Sequence, residues 1–336
     1  MGGMHAQVYR KLPSARIAGV VDSHPALARR AMDKIGLKAP LFRSLEEALV
    51  TVPSTVVDLC IPTDLHAPLA LQAIRAGKHV FCEKPLALRA VDAVKIGAAA
   101  AAAGVYGQVG HCIRFWPEYV AFRDFFQSAK AGALLSLSLQ RRSMLPRHSV
   151  GGWLLDPHRS GGAALDLHIH DTDFILSLLG SPRSVASRTT KDRHGLSHIF
   201  TSYHYPQGVV TAEGGWNYPA KWGFQMAFQA VFEKGTVEYD SGASPSLSVT
   251  LGTAPRKALP FRQPSIGASV SGTGNLASLG GYFNELQYFV GCLERGLAPK
   301  VATFAQATQS LRVTLAEIRS AQTGGRPVVV QSPEDS

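Results

Sequence analysis

Cysteine is scarce and unpatterned in this chain of 336 residues. Cys60, Cys82, Cys112 and Cys292 form no Cys-x-x-Cys pair, which excludes a thiolate zinc site and fits a reducing cytoplasm. Long apolar runs are missing as well. The alanine-rich stretch from Ile96 to Val105 makes only about three helical turns, and no charged-then-apolar leader opens the chain, so neither a membrane span nor an export signal is expected. Clustered charge is lacking too. The net charge of +10 comes from dispersed basic residues, with Arg29-Arg30 and Arg141-Arg142 the only arginine doublets, which argues for a diffuse positive surface and against nucleic acid as a partner.

What is present suits a two-domain α/β protein. The length is about twice that of a typical domain, and 46% hydrophobic with 17% charged residues can build real cores. Val56-Val57-Asp58-Leu59-Cys60-Ile61-Pro62 reads as a buried strand, Ala67 to Ala76 as an amphipathic helix and His79-Val80-Phe81 as the next strand. Such a βαβ unit makes the strands parallel. Open parallel sheets bind ligands outside the carboxyl ends of their strands, where Pro62-Thr63 and Glu83-Lys84-Pro85 both fall. Pro85 biases Lys84 toward an extended backbone and gives its ammonium a defined aim. Taken singly, a Lys-Pro after a strand is a solvated turn, and the reading as a catalytic lysine rests on residues further along.

Those residues lie in the segment from Ser160 to Gly180, read as one helix N-capped at Ser160 and stopped at a glycine. Asp166, His170 and Asp173 fall four and then three positions apart, which puts a polar stripe on an otherwise apolar helix. A satisfied core hydrogen-bond network would also explain that stripe. Metal binding by Asp166, His168 and His170 is disfavoured, because positions two apart point about 200° apart on a helix.

The amino terminus reads as a helix beginning at Gly2-Gly3-Met4, followed by a strand from Arg16 that closes on Asp22. Asp22 stands twenty residues after Gly2, the interval expected between the last glycine of a dinucleotide fingerprint and the carboxylate that holds the ribose. The strand and the glycines that should precede them are missing. The expectation is therefore that Met1 is an internal start, with roughly 10 residues ahead of it in the natural protein, and that apolar edges of the neighbouring strands are exposed.

Several motifs together carry a resemblance. They are Gly2-x-x-His5-Ala6, Pro62-Thr63-x-x-His66, Ala76-Gly77-Lys78-His79-Val80 leading into Glu83-Lys84-Pro85, Arg114-Phe115-x-Pro117, and Gly161-Gly162 through Asp166-x-x-x-His170-x-x-Asp173. On these residues the chain resembles the Gfo/Idh/MocA family of oxidoreductases over nearly its whole length. The resemblance implies an amino-terminal Rossmann domain lacking its first strand, residues 1–112. It also implies an α/β domain with a large open, mostly antiparallel sheet for substrate binding and oligomerisation, residues 113–331. Strand-like segments at Leu134 to Arg142, His198 to Tyr205, Val209 to Trp216, Phe224 to Phe232 and Thr236 to Tyr239 agree. Turns at Pro206-Gln207-Gly208 and Glu233-Lys234-Gly235 would join four of them as hairpins.

The implied chemistry is NAD(P)-dependent hydride transfer at a CH–OH carbon of a sugar, cyclitol or related polyol, with Lys84, Asp166 and His170 at the catalytic positions. Oxidising an alcohol needs a base within hydrogen-bond reach, and an imidazole with an ordinary pKa of about 6.5 suits that task. Lys84 would stabilise alkoxide charge and Asp166 would orient the imidazole or a substrate hydroxyl. The reverse assignment, with the lysine as base, asks for burial or nearby positive charge to bring an ammonium down from about 10.4. The resemblance places Gly2, Gly3, Met4, Asp22, Ser23, Pro62, Thr63, His66, Glu83, Lys84 and Arg114 at the cofactor. Asp22 would favour NAD by repelling a 2′-phosphate, while Ser23 leaves NADP open. His111-Cys112-Ile113 stands where the family carries an amide or aromatic residue, so substrate preference is expected to depart from the polyol dehydrogenases. Trp153, Arg159, Trp216 and Tyr282 are candidate pocket residues. A homodimer or homotetramer is implied. An NAD-dependent glycosidase using transient oxidation, and a non-catalytic scaffold with impaired cofactor binding, are the alternative readings.

Overall fold

The computed structural model describes residues 1–147, 149–264 and 279–330, so the expected domain end at 331 lies outside the described residues. The chain divides into two compact units, Met1–Gly110 with residues 279–307 and His111–Gln263 with residues 308–330.

The first unit is a parallel α/β layer. It runs α1 (Gly2–Tyr9), β1 (Val20–Val21), α2 (Pro25–Lys34), β2 (Leu41–Phe42), α3 (Leu45–Thr51), β3 (Val56–Leu59), α4 (His66–Arg75), β4 (His79–Cys82), α5 (Ala90–Ala102) and β5 (Gly107–Val109). β3, β4 and β5 form one parallel sheet, and β1 and β2 form another. Helix starts follow local chemistry: Ser44 accepts a hydrogen bond from the Glu47 amide at 3.2 Å, while the Glu47 carboxylate accepts one from the Arg43 amide at 3.0 Å. α4 buries Ala70, Ala73 and Ile74 on one face and gives way at Gly77, whose φ of 70° a side chain would strain. β5 receives a late segment of the chain. The Val109 amide donates to the Ala302 carbonyl at 2.8 Å, and Gly107 lacks the Cβ that would sit 2.1 Å from the Phe304 ring.

No ladder joins β1 to β3 among the described residues. The strand expected from Arg16 to Asp22 pairs only at Val20 and Val21. As anticipated, apolar residues at this break are incompletely covered: Val21 is 39% exposed, and Val20, Val56 and Val57 are half-buried.

The second unit is built on β6 (Leu134–Met144), β7 (Ser184–Asp192), β8 (Gly195–His204), β9 (Val209–Tyr218), β10 (Phe224–Phe232), β11 (Gly235–Asp240), β12 (Leu247–Leu251), β13 (Lys257–Ala258) and β14 (Val328–Val329). They make a nine-stranded sheet in the order β13-β12-β11-β10-β6-β9-β8-β7-β14, antiparallel except where β6 meets β9. Both expected hairpins, β8–β9 and β10–β11, are present. β7, β12, β13 and β14 were not foreseen. α6 (Pro117–Gln127) precedes β6, α7 (Pro157–Ser160) and α8 (Ile169–Leu179) run between β6 and β7, and α9 (Gly280–Glu294), which belongs to the first unit, and α10 (Phe304–Gln322) come between β13 and β14 in sequence.

Alternating residues of β6 and β10 meet the helices. Tyr119 of α6 packs edge-on against Phe174 of α8, Phe228 of β10 and Tyr239 of β11 at centroid distances of 4.8, 5.2 and 5.4 Å. With Phe122 also fully buried, each such side chain contributes about 1.5–3 kcal/mol, so the aromatic cluster fixes α8 on the sheet. Arg141 of β6 adds a buried bidentate pair to Asp171 of α8, both contacts at 2.9 Å.

Candidate active site

In the first unit the chemistry gathers at the carboxyl ends of β3 and β4. Glu83 directly follows β4, and its carboxylate accepts hydrogen bonds from His5 Nε2 at 3.1 Å and from the Lys84 amide at 3.2 Å. The other nitrogen of His5 meets Asp58 Oδ2 at 2.8 Å and Cys60 Sγ at 3.2 Å. Burial works against a charged imidazole at His5, but Asp58 and Cys60 overcome it and hold its pKa well above the ordinary value. Burial also raises Glu83, and the His5 hydrogen bond and charge more than reverse this, leaving its pKa below the usual carboxylate range. Lys84 itself is half-buried, at a turn whose Lys84-Pro85 peptide is cis.

His66 holds this turn to the one after β3. Its Nδ1 lies 2.7 Å from the Pro85 carbonyl and its Nε2 3.0 Å from the Ile61 carbonyl. Burial lowers its pKa, so we assign the single proton to the shorter contact. The ring is only 1% exposed. His66 is therefore a brace between two loops. Met4 at 3% and Glu83 at 5% exposure are likewise enclosed by protein.

The remaining expected dinucleotide residues are accessible. Gly2 and Gly3 are exposed at the amino end of α1, beside the carboxyl end of β3, where a Cβ on Gly2 would lie 3.6 Å from that of Cys60. Asp22 ends β1 with a side chain 43% exposed and accepts a hydrogen bond from the His24 amide at 2.7 Å. Ser23 is exposed, Pro62 is half-buried, and Thr63 is buried in the short helical turn Thr63–Leu65. Helix amides, free glycines and a strand-end carboxylate are the donor and acceptor set that a dinucleotide pyrophosphate and ribose require, so these residues fit NAD.

In the second unit the segment from Ser160 to Gly180 is not one helix. Ser160 ends α7, and Gly161 and Gly162 take φ of 76° and 70°, outside the helical region. A widened π-helical turn, Ala164–His168, then runs into α8. Such turns splay side chains that a regular helix would stack, and they recur at functional sites. Asp166 sits in that turn, half-buried, and His170 follows in the first turn of α8 at 8% exposure. Gly214 of β9 makes room for the turn, since a Cβ there would lie 2.8 Å from the His168 Cβ.

His168 and His170 have different neighbours. His168 Nε2 lies 3.1 Å from Glu317 Oε2 of α10 and 3.3 Å from the Tyr203 hydroxyl. The His170 ring stands perpendicular to that of buried His111 at a centroid distance of 6.5 Å. Nearby, Asp173 accepts from Arg114 Nε at 2.6 Å, Arg114 Nη2 at 2.8 Å and Ser310 Oγ at 2.7 Å. Arg114 is 8% exposed, and its guanidinium pairs with Asp173. Trp216 packs into a core with Ala163 and Leu167, and the Tyr282 ring lies 6.4 Å from that of His5. Trp153 and Arg159 are half-buried.

His111, Ser310, Asp58 and Glu285 were not singled out from the sequence as site residues, although each belongs to one of these clusters. Their partners lie far away along the chain. Glu285 carried one signal, a lone acid on the apolar face of α9.

A parallel dinucleotide-type unit joined to an open, largely antiparallel sheet defines a two-unit α/β oxidoreductase architecture. The family profile of an oxidoreductase family with an NAD-binding Rossmann fold matches residues 1–111, and the profile of the GFO/IDH/MocA carboxyl-terminal domain matches residues 119–260. The chain belongs to the GFO/IDH/MocA family. It is 36% identical over 137 residues to 1,5-anhydro-D-fructose reductase of Ensifer adhaerens, a match spanning 40% of this chain and 41% of that relative. It is 26% identical to inositol 2-dehydrogenase of Rhizobium meliloti across 93% of both chains. A solved levoglucosan dehydrogenase in complex with NADH and levoglucosan shares the fold, with a TM-score of 0.82 and 21% identity over 99% of this chain and 97% of the other.

Proposed function

We propose that this protein transfers a hydride between NAD and a secondary alcohol carbon of a sugar, cyclitol or related polyol, and that Lys84, Asp166 and His170 perform the chemistry. The observation that carries the reading is the widened turn Ala164–His168, which bears Asp166 and leads directly into the turn of α8 that bears His170. The names of the relatives, a reductase of an anhydro sugar and a dehydrogenase of inositol, support the substrate class.

NAD supplies the hydride acceptor when bound. His170 takes the proton from the substrate hydroxyl as the hydride leaves. Lys84 donates a hydrogen bond to the same oxygen and stabilises the charge that develops there. Asp166 orients the imidazole or fixes a neighbouring hydroxyl. Gly2 and Gly3 present helix amides to the pyrophosphate, and Asp22 accepts from the adenosine ribose. The same reading has the protein working in the cytoplasm as a homodimer or homotetramer. The structure adds only that, among the described residues, no helix is long and apolar enough to cross a membrane.

The test is NADH formation across a panel of polyols and aldose sugars, with Lys84→Met and His170→Asn beside the wild type. Each variant should lose about 10²–10⁴-fold in kcat while keeping its NADH affinity. Unchanged turnover in both variants would overturn the assignment of residues. Release of an aglycone from a glycoside without net NADH would replace the dehydrogenase with a glycosidase.

A further inference from the structure

Glu285 is out of place. It lies on α9 at 0% exposure, and both of its carboxylate oxygens are buried without a hydrogen-bond partner. Leaving a carboxyl in that condition costs several kcal/mol, so something that the protein alone does not provide is expected to satisfy it. Its oxygens do face ligand-type atoms. One ligand atom each of His5, Glu83 and Glu285 lies within 4.8 Å of the others, and all three residues are buried.

We propose that His5, Glu83 and Glu285 bind one divalent transition cation of the Zn²⁺ or Mn²⁺ type, which displaces to solvent the proton that His5 Nε2 otherwise donates to Glu83, a site independent of the hydride-transfer reading. The donor set is one imidazole nitrogen and two carboxylates, which suits borderline cations and excludes those that demand thiolates. His5 Nε2 and Glu83 Oε1 are 3.1 Å apart. With bonds of about 2.1 Å to a shared ion, that separation subtends an angle of about 95°, within the range of tetrahedral to octahedral coordination. Glu285 completes the trio with a small side-chain adjustment, since ligands of one such ion stand at most about 4.2 Å apart.

The surroundings are arranged as outer partners of a metal site are. His5 Nδ1 meets Asp58 Oδ2 at 2.8 Å, the carboxylate–imidazole brace that fixes a histidine so that its other nitrogen faces the ion. The second oxygen of Glu83 is held by the Lys84 amide at 3.2 Å. Gly110 leaves room for this carboxylate, because a Cβ there would come within 3.0 Å of Glu83 Oε1. The ligands come from α1, from the residue after β4 and from α9, so a bound ion would tie the amino-terminal helix to the body of its unit. His5, Asp58 and Cys60 also cluster. There, however, His5 Nδ1 is already engaged by both neighbours, and no buried group goes unpartnered.

The test is titration calorimetry of the chelator-stripped full chain with ZnCl₂ and with MnCl₂, repeated on Glu285→Gln and Cys60→Ser. One ion per chain is expected, at least tenfold weaker in Glu285→Gln and within twofold of wild type in Cys60→Ser. The carboxamide matches the carboxyl in shape, so the variant should fold. Cobalt(II) loading of the wild type gives a second readout that needs no variant, and its spectrum should lack a thiolate charge-transfer band. The proposal is overturned if the wild type binds neither ion at about millimolar concentration. Equal binding by Glu285→Gln, or a thiolate band with cobalt, would overturn it as well.

Discussion

Replacing Asp173 by asparagine should strongly destabilise the second unit. Asp173 is 0% exposed and takes three hydrogen bonds of 2.6–2.8 Å, two from Arg114 and one from Ser310. The substitution removes the negative charge that faces the Arg114 guanidinium, itself 8% exposed. Breaking a buried pair from one side costs about 3–5 kcal/mol. For a unit of this size that is a fall of roughly 6–20 °C in Tm. All of Trp116, Trp153, Trp216 and Trp222 lie in the second unit, so tryptophan fluorescence during urea or thermal unfolding reports that unit alone.

The acid limb supplies an internal control. Burial raises the Asp173 pKa, and Arg114 and His111 together with the hydrogen bonds of Arg114 and Ser310 more than reverse this, so the folded value is depressed. A depressed carboxyl contributes stability that is fully present above its unfolded value of about 3.9 and is lost as pH falls through the folded value. The gap between wild type and Asp173→Asn should therefore be constant near neutrality and close only below about pH 4. Removing both charges, as Arg114→Met with Asp173→Leu, should recover most of the loss. A single-variant cost below about 1 kcal/mol, or a double variant no better than the single, would refute the view that this pair holds α8 beside His111.

Two further outcomes follow from close contacts and charge. Gly214→Ala places a methyl 2.8 Å from the His168 Cβ and 3.0 Å from its Cα, so it should cost about 1–3 kcal/mol and lower kcat by moving the turn that bears Asp166; unchanged unfolding would refute the packing. Asp22→Ser should narrow any preference for NADH over NADPH by about tenfold, or about 1.4 kcal/mol, read by fluorescence titration; an unchanged ratio would remove Asp22 from the ribose.

Much of this was legible because it is local. The β3–α4–β4 unit follows from apolar runs and one amphipathic face, and β10 has the bounds that its composition predicts, Phe224–Phe232. β7 was obscured because Arg188, Lys191 and Asp192 break its alternation with charge. The helix from Ser160 was misjudged at its start. Two consecutive glycines at positive φ outweigh the capping propensity of a serine, whose hydroxyl instead donates to the Leu154 carbonyl and accepts from the Gly162 amide. The clusters around Glu83 and Asp173 could not be read at all. His5 and Asp58 stand 53 positions apart and Asp173 and Ser310 stand 137 apart, and no periodicity links them.

The segment from Arg16 to Asp22 shows the limit from the other side. Its composition reads as a strand of seven residues, yet only Val20 and Val21 are paired, both to β2. A strand inside a sheet is stabilised by ladders on both edges and by cover on both faces. Here one edge has no partner among the described residues, so residues ahead of Val20 have lost half of what would hold them extended. The same gap leaves Val56 and Val57 of β3 half-buried, although their apolar run predicts full burial. Propensity marked the segment, and pairing along a single edge confines its sheet to Val20 and Val21.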